Sequence, residues 1–135
     1  MTSFPSHRLQ PARLSVTADA IRTYAELTDD FNPLHLDSAF AAKTPMGRVI
    51  AHGTMSLCLL WQCLHKNFDA TRLAQSHLDI RFLKPVFIGE TLHASGELAP
   101  GTLEASESPA PRGWRVWVRG DDDQDRLAGV LHIPG

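Results

Sequence analysis

Asp30 and His35 are the two side chains of this sequence best placed to share work on a proton. They lie in the stretch DDFNPLH, residues 29–35. Pro33 stands between them, and a turn there would let the carboxylate and the imidazole converge on one site. In such a pair one group takes a proton while the other orients or gives one. The residues before the stretch form a helix pattern, so Asp29 and Asp30 fall at a helix C-terminus, where the dipole is negative. With partial desolvation, that position would disfavour the charged form of Asp30 and make it a better base. Asp29 reads as a solvated neighbour, and Asn32 as a residue that holds the turn through backbone groups. D-x-N-P is also an ordinary turn, so the local residues alone leave catalysis and plain structure both open.

The second candidate is IAHG, residues 50–53. Gly53 opens a long apolar segment that reads as a helix, and free N–H groups at a helix N-terminus favour negative charge. A carbonyl aimed there would have its developing oxyanion stabilised, and a glycine lets a ligand approach the backbone closely. An acid/base pair beside an oxyanion site suits the addition of water next to a carbonyl. Alternatively, Gly53 is a plain helix start and His52 a packing residue. Asp30, His35, His52 and Asp37 are metal-ligand types, but no tight spacing such as H-x-x-x-H joins them. No metal or other cofactor is expected.

The elements that must position these groups follow from pattern. Residues 1–10 read as a loose arm and Ala12 to Val16 as a short strand. Thr17 is a candidate N-cap for a helix to Leu27, which Pro33 ends. Asp37 or Ser38 can cap a short second helix through AFAAK, followed by the turn-rich link TPMGRV. From Gly53 to Phe68 the sequence is apolar on every side, which predicts a helix buried all round and a sheet wrapped over it. SHLDIRFLKPVF alternates Leu78, Ile80 and Phe82 against His77, Asp79 and Arg81, and Pro85 marks a strand end or bulge. GETLHASGEL, a weaker TLEASES, GWRVWVRG and RLAGVLHI supply further strands, with DDDQD as a solvated hairpin loop. The expected class is α+β, with a central buried helix wrapped by a curved antiparallel sheet.

A length of 135 residues suggests a single domain over 1–135. A formal charge of −2 gives no basic face for nucleic acid. Cys58 and Cys63 read as buried structural thiols that do not pair. The first residues lack the apolar core of a leader, and no apolar run is long enough for a membrane span. A cytoplasmic protein is the expectation.

Taken together, LTDDFNPLHLDSAFAAKTPMGRVIAHG and the later RFLKPVFIGETL resemble the MaoC-like, (R)-specific enoyl-CoA hydratases, which adopt the hot-dog fold. The resemblance runs from about Tyr24 to Leu92. It implies that Asp30 and His35 hold one water, Asp30 as base and His35 as its orienter. The water would add to C3 of a trans-2-enoyl thioester to give an (R)-3-hydroxyacyl thioester, or be lost in the reverse direction. It further implies that the Gly53 N–H binds the thioester oxygen, with His52 beside it, that Asn32 supports the turn, and that protomers pair as a homodimer or larger assembly with their sheets joined. The carrier would be coenzyme A or an acyl carrier protein, and Arg48, Arg81 and Lys84 are candidates for its phosphates. The sequence departs from the family at Thr54, where relatives carry a bulky apolar residue, and at Trp61, where some carry a small hydroxyl residue. Trp61 either shortens an acyl tunnel or is core. A third departure is the polar ESPAPRG, where relatives pair strands tightly. The rival readings are a hot-dog thioesterase, disfavoured because Gly53 to Phe68 holds no Asp or Glu, and a non-catalytic thioester-binding subunit.

Overall fold

The computed structural model describes residues 7–99 and 112–134. In chain order the elements are β1 (Ala12–Ser15), α1 (Ala18–Thr28), α2 (Pro33–Leu36), α3 (Ser38–Ala42), α4 (Gly53–Asn67), α5 (Ala70–Ala74), β2 (His77–Phe82), β3 (Thr91–Leu98), β4 (Arg112–Arg119) and β5 (Asp125–Ile133). The strands form one antiparallel sheet in the order β1-β3-β4-β5-β2. This is the expected α+β arrangement of a helix packed in the hollow of a sheet. The expected strand TLEASES and the departure ESPAPRG lie almost wholly outside the described residues.

Period-2 patterning accounts for the sheet's inner face. Leu92, Ala94 and Leu98 of β3, Trp114, Val116 and Val118 of β4, and Leu127, Leu131 and Ile133 of β5 are all buried. They meet Met55, Leu59, Leu60, Cys63 and Leu64 of α4 in one core. Each fully buried large aliphatic side chain contributes about 1.5–3 kcal/mol, so this contact dominates the energetics. Helix ends are set as the sequence suggests. The Thr17 hydroxyl accepts from the Ala20 N–H at 3.0 Å, and the Asp37 carboxylate accepts from the N–H groups of Ala39 and Phe40.

Three expectations need correction. First, α4 is not buried all round. Thr54, Cys58, Gln62 and His65 are exposed, and Trp61 is half-buried against the core. Five strands cover one side of the helix, and the count of apolar residues could not show how far the sheet would reach. Cys58 is therefore an exposed thiol, whereas burial pushes the Cys63 thiol up to about 11. Second, residues 7–10 are not a loose arm. The Leu9 N–H donates to the Gly96 carbonyl, and the Leu98 N–H to that of His7. The Gln10 N–H donates to Asn67 Oδ1 at 2.7 Å, while Asn67 Nδ2 returns a bond to the Gln10 carbonyl. Third, Phe82 is not core; it is 54 % exposed at the end of β2.

The hairpin DDDQD lies in a turn as expected, but three of its four acids are paired. Asp121 meets His93, Asp122 meets Arg126, and Asp125 meets Arg119. No helix among the described residues is long and apolar enough to cross a membrane.

Among the described residues β2 joins the sheet only through β5, and Gly129 stands opposite Ile80 in that pairing. A Cβ there would lie 2.0 Å from the Asp79 carbonyl oxygen. Backbone cannot yield as a side chain can, so Gly129→Ala should cost at least about 3 kcal/mol in urea denaturation. A loss below about 1 kcal/mol would show that the two strands do not approach this closely.

Candidate active site

The two acids at the end of α1 occupy positions of different kinds. Asp29 is left-handed, with φ 55° and ψ 36°, and its N–H bonds to the Ala25 carbonyl. The Asp30 N–H reaches the same carbonyl at 3.0 Å. This closes the helix in the manner of a Schellman motif, with Asp29 where glycine or asparagine is usual. Short polar side chains tolerate that conformation, so Asp29 has a local structural reason. Asp30 is carried past the helix end. Its Oδ1 accepts from the Asn32 N–H at 3.3 Å.

Asn32 then starts α2. Its Oδ1 accepts from the Leu34 N–H at 3.0 Å, with Pro33 at the first helical position. His35 follows within the same turn. Its Nδ1 lies 2.8 Å from the Ile50 carbonyl. A carbonyl only accepts, so Nδ1 carries the hydrogen, and in the neutral imidazole Nε2 keeps its lone pair for a ligand. Asn32 thus acts through the backbone, as expected, and touches nothing in the cleft described below.

His52 is the N-cap residue of α4 but caps nothing with its side chain. It is 2 % exposed. Its Nε2 donates to the Asp30 carbonyl at 3.0 Å and lies 3.9 Å from Asp30 Oδ2. Its ring stacks on His35 with centroids 3.9 Å apart, and Tyr24 packs on it at 5.0 Å. The Tyr24 phenol donates to Thr54 Oγ1 at 2.7 Å. Burial pushes the phenol above its ordinary pKa, Cys58 adds to the rise, and the Thr54 bond opposes it. The departure at Thr54 therefore has a local partner. Neither His52 nor Asp30 is among the residues that line the cleft; His52, being buried, holds the Asp30 backbone.

A cleft of about 300 Å³ is lined by His35, Ile50, Gly53, Ser56, Phe82 and Lys84, among others. The first N–H groups of α4 have no acceptor within their own helix, and the helix dipole adds positive potential there. Gly53 is exposed at this end. A Cβ on it would meet the Phe82 ring at 3.3 Å, so the glycine keeps a narrow approach open beneath Phe82. Asp30 is half-exposed, its side chain 51 % accessible. The expected desolvation is thus not met by one chain alone.

One ligand atom from each of Asp30, His35 and His52 falls within 4.8 Å of the others. By type and distance these three could hold a metal. The two imidazoles, however, are stacked at 28° between planes. An ion in the plane of one ring would lie well out of the plane of the other, and His52 Nε2 is already committed to a carbonyl. The arrangement suits proton transfer better than tetrahedral coordination.

Of the candidate phosphate contacts, Arg48 and Lys84 line a second recess beside the cleft, whereas Arg81 lies exposed on β2 and lines neither. Sequence reasoning missed Ser56, Phe82, Arg126 and Tyr24. Ser56 sits three residues after Gly53 on the same helix face, a spacing that could have flagged it. Phe82 and Arg126 arrive from separate strands and carry no local signal.

Compared with known proteins, residues 3–102 match the MaoC like domain family. The chain is 37 % identical over 113 residues to an (R)-specific enoyl-CoA hydratase of Aeromonas caviae, covering 82 % of this chain and 83 % of that one. It is 30 % identical over 105 residues to the 3-hydroxyacyl-thioester dehydratase Z of Mycobacterium tuberculosis, covering 70 % of each. The solved structure of the A. caviae (R)-hydratase involved in PHA biosynthesis superposes with a TM-score of 0.70, at 26 % identity over 97 % of both chains. The architecture is accordingly the hot-dog fold.

The left-handed backbone at Asp29 yields a prediction separable from chemistry. Asp29→Gly should raise stability by about 0.5–1 kcal/mol, read as a melting-temperature gain of about 2–4 °C per kcal/mol. A fall in melting temperature would show that the Asp29 carboxylate contributes a contact of its own.

Proposed function

The chain belongs to the MaoC-like domain family, and from that premise we propose that it is a hydro-lyase adding water to trans-2-enoyl thioesters, or removing it from (R)-3-hydroxyacyl thioesters. Asp30 and His35 hold the water between them. The His35 Nε2 lone pair accepts one of its hydrogens and aims its oxygen at C3. Asp30 is the base. As the oxygen bonds to C3, the π pair of the double bond moves towards C2 and onto the thioester oxygen. The Gly53 N–H at the start of α4 stabilises that oxygen. The proton released from water passes through the pair to C2 on the same face, so one water ends as hydroxyl on C3 and hydrogen on C2.

The observation that carries this reading is the meeting of Asp30 and His35 within 4.8 Å, with His35 on the wall of the cleft that also holds Gly53. His52 supports it from behind through the Asp30 carbonyl. A thioesterase reading lacks its carboxylate, because α4 contains no Asp or Glu. A purely binding role would leave the fixed His35 tautomer without a use.

A homodimer completes the proposal. Phe31, beside Asp30, and Met46, Phe82 and Leu83 on the cleft wall are all exposed. Among the described residues β2 has a neighbour on one side only, leaving an edge that favours pairing with another strand. A second copy joined there would cover these side chains and supply the desolvation that Asp30 lacks alone. Such an enzyme of acyl-thioester metabolism would work in the cytoplasm.

Loss of the enoyl-thioester absorbance with crotonyl-CoA tests the chemistry. Asp30→Asn and His35→Ala should each lower kcat by about 10²–10⁴-fold with unchanged circular dichroism. Full activity in the Asp30 variant would remove its role as base, and a two-fold loss at His35 would reduce that residue to support. Light scattering should give twice the protomer mass of 14.9 kDa. A fully active monomer would sink the joined edge.

A further inference from the structure

His52 stands behind the Asp30/His35 pair, and its Nε2 bond to the Asp30 carbonyl holds one side of its ring. The other nitrogen, Nδ1, is buried and has no hydrogen-bond partner among the described residues. An imidazole held at one nitrogen can pivot about that bond, so its ring plane is set by what packs on its faces. His35 packs there with centroids 3.9 Å apart, and Tyr24 with centroids 5.0 Å apart. His35 is itself one of the groups to be held in place. Tyr24 is the support from outside, carried by α1. It is fixed at its far end as well. Its phenol donates to Thr54 Oγ1 at 2.7 Å, and the Cys58 sulfur lies beyond at 3.8 Å. Thr54 follows Gly53 in the first turn of α4. The phenol is thus tethered to the turn that presents the Gly53 N–H, while its own helix runs on to Asp30. A bulky apolar residue at position 54 would offer the phenol no acceptor, so the tether depends on the departure at Thr54.

The geometry points to Tyr24 as a positioning residue: with Thr54 it forms a strut that keeps His52 against His35 and sets the span between the base Asp30 and the oxyanion donor Gly53. The inference rests on the hydratase reading for its reaction. In that reaction the water meets C3 while the thioester oxygen meets Gly53, so the protein must hold the two groups at the spacing of the substrate's own atoms. A misplacement of about 1 Å at a reacting centre can cost about 10²-fold in rate. Asp30 and Gly53 belong to different elements, and neither the sheet nor the middle of α4 sets the distance between them. Tyr24 reaches both, one through its helix and the other through its hydroxyl. Its ring is taken by His52 and its hydroxyl by Thr54, so it acts through those residues and bears on kcat rather than on KM. The Thr54 bond is exposed, and water can replace part of it, so its loss weakens the strut without removing it.

Tyr24→Phe and Thr54→Val each remove the bond while keeping the shape of the side chain. Each should lower kcat with crotonyl-CoA about five-fold and leave KM within about two-fold. The double variant should lose no more than either single one, because both act on the same bond. Thr54→Ser keeps the acceptor and should retain most of kcat. Wild-type kcat in both single variants, additive losses in the double variant, or a loss carried by KM overturns the strut. Tyr24→Leu also takes the ring from His52 and should cost more than Tyr24→Phe; an equal loss removes the ring contact from the strut. Should wild-type protein hydrate no ester, the hydratase reading falls, and the strut is judged by ¹⁵N NMR, which needs no turnover. Tyr24→Phe must then move the Gly53 amide and the ring nitrogens of His35, on the far side of His52. Unmoved resonances at both overturn it.

Discussion

The burial of one face of α4 in the hollow of the sheet is the constraint on which the rest depends. Leu60, Cys63 and Leu64 have no exposed surface, and inner-face residues of β3, β4 and β5 close over them. This contact fixes the axis and the depth of the helix. It therefore fixes where the helix begins, and so where Gly53 presents its N–H. A helix end held by propensity alone would fray; this one is clamped by its own middle.

The catalytic candidates are arranged around that fixed end largely by bonds to backbone. His35 is tied to the Ile50 carbonyl and His52 to the carbonyl of Asp30, and Ala51 is pinned to Val86 through its N–H. Three short segments, 29–36, 50–53 and 85–87, are thereby sewn together where the sheet offers no ladder. Backbone acceptors leave the useful atoms free: His35 keeps Nε2 and Asp30 keeps Oδ2. The cost is the buried Nδ1 of His52, which has no hydrogen-bond partner among the described residues. An unmade bond of that kind costs about 1–3 kcal/mol, and it is tolerated where the ring is needed behind His35.

The same economy shapes the charged rim. Arg126 binds Glu90, Asp122 and the Gln124 carbonyl, so one buried guanidinium joins the loop before β3 to the hairpin before β5. A lone buried charge would be expensive, whereas a fully bonded one specifies a geometry. That geometry sets the height of Lys84 and the hairpin beside the cleft. On the open side Phe82 and Leu83, at the end of β2, are exposed.

Much of this was legible in the residues. The helix start at Thr17, the Asp37 cap and the alternation of the strands depend on chain neighbours and on periods of 3.6 and 2, which a sequence carries directly, whereas the stop expected at Pro33 falls at Asp29, whose left-handed backbone closes α1 before Pro33 opens α2. The D-x-N-P-x-H block likewise carries its own turn, and with it the meeting of Asp30 and His35. Contacts between distant segments were not legible. Whether α4 would be covered on one side or all round depended on how far the sheet curves. Phe82 looked like core because its alternation is right, yet it ends an edge strand and stands over Gly53. His52 could be placed beside the glycine from sequence, but not its enclosure by Tyr24 and His35, which come from two other elements. The sequence alone determined the local turns, the amphipathic faces and the chemical types at the site. Tertiary structure decided which of those types share a space, because that depends on packing between segments far apart in the chain, and no local pattern records it.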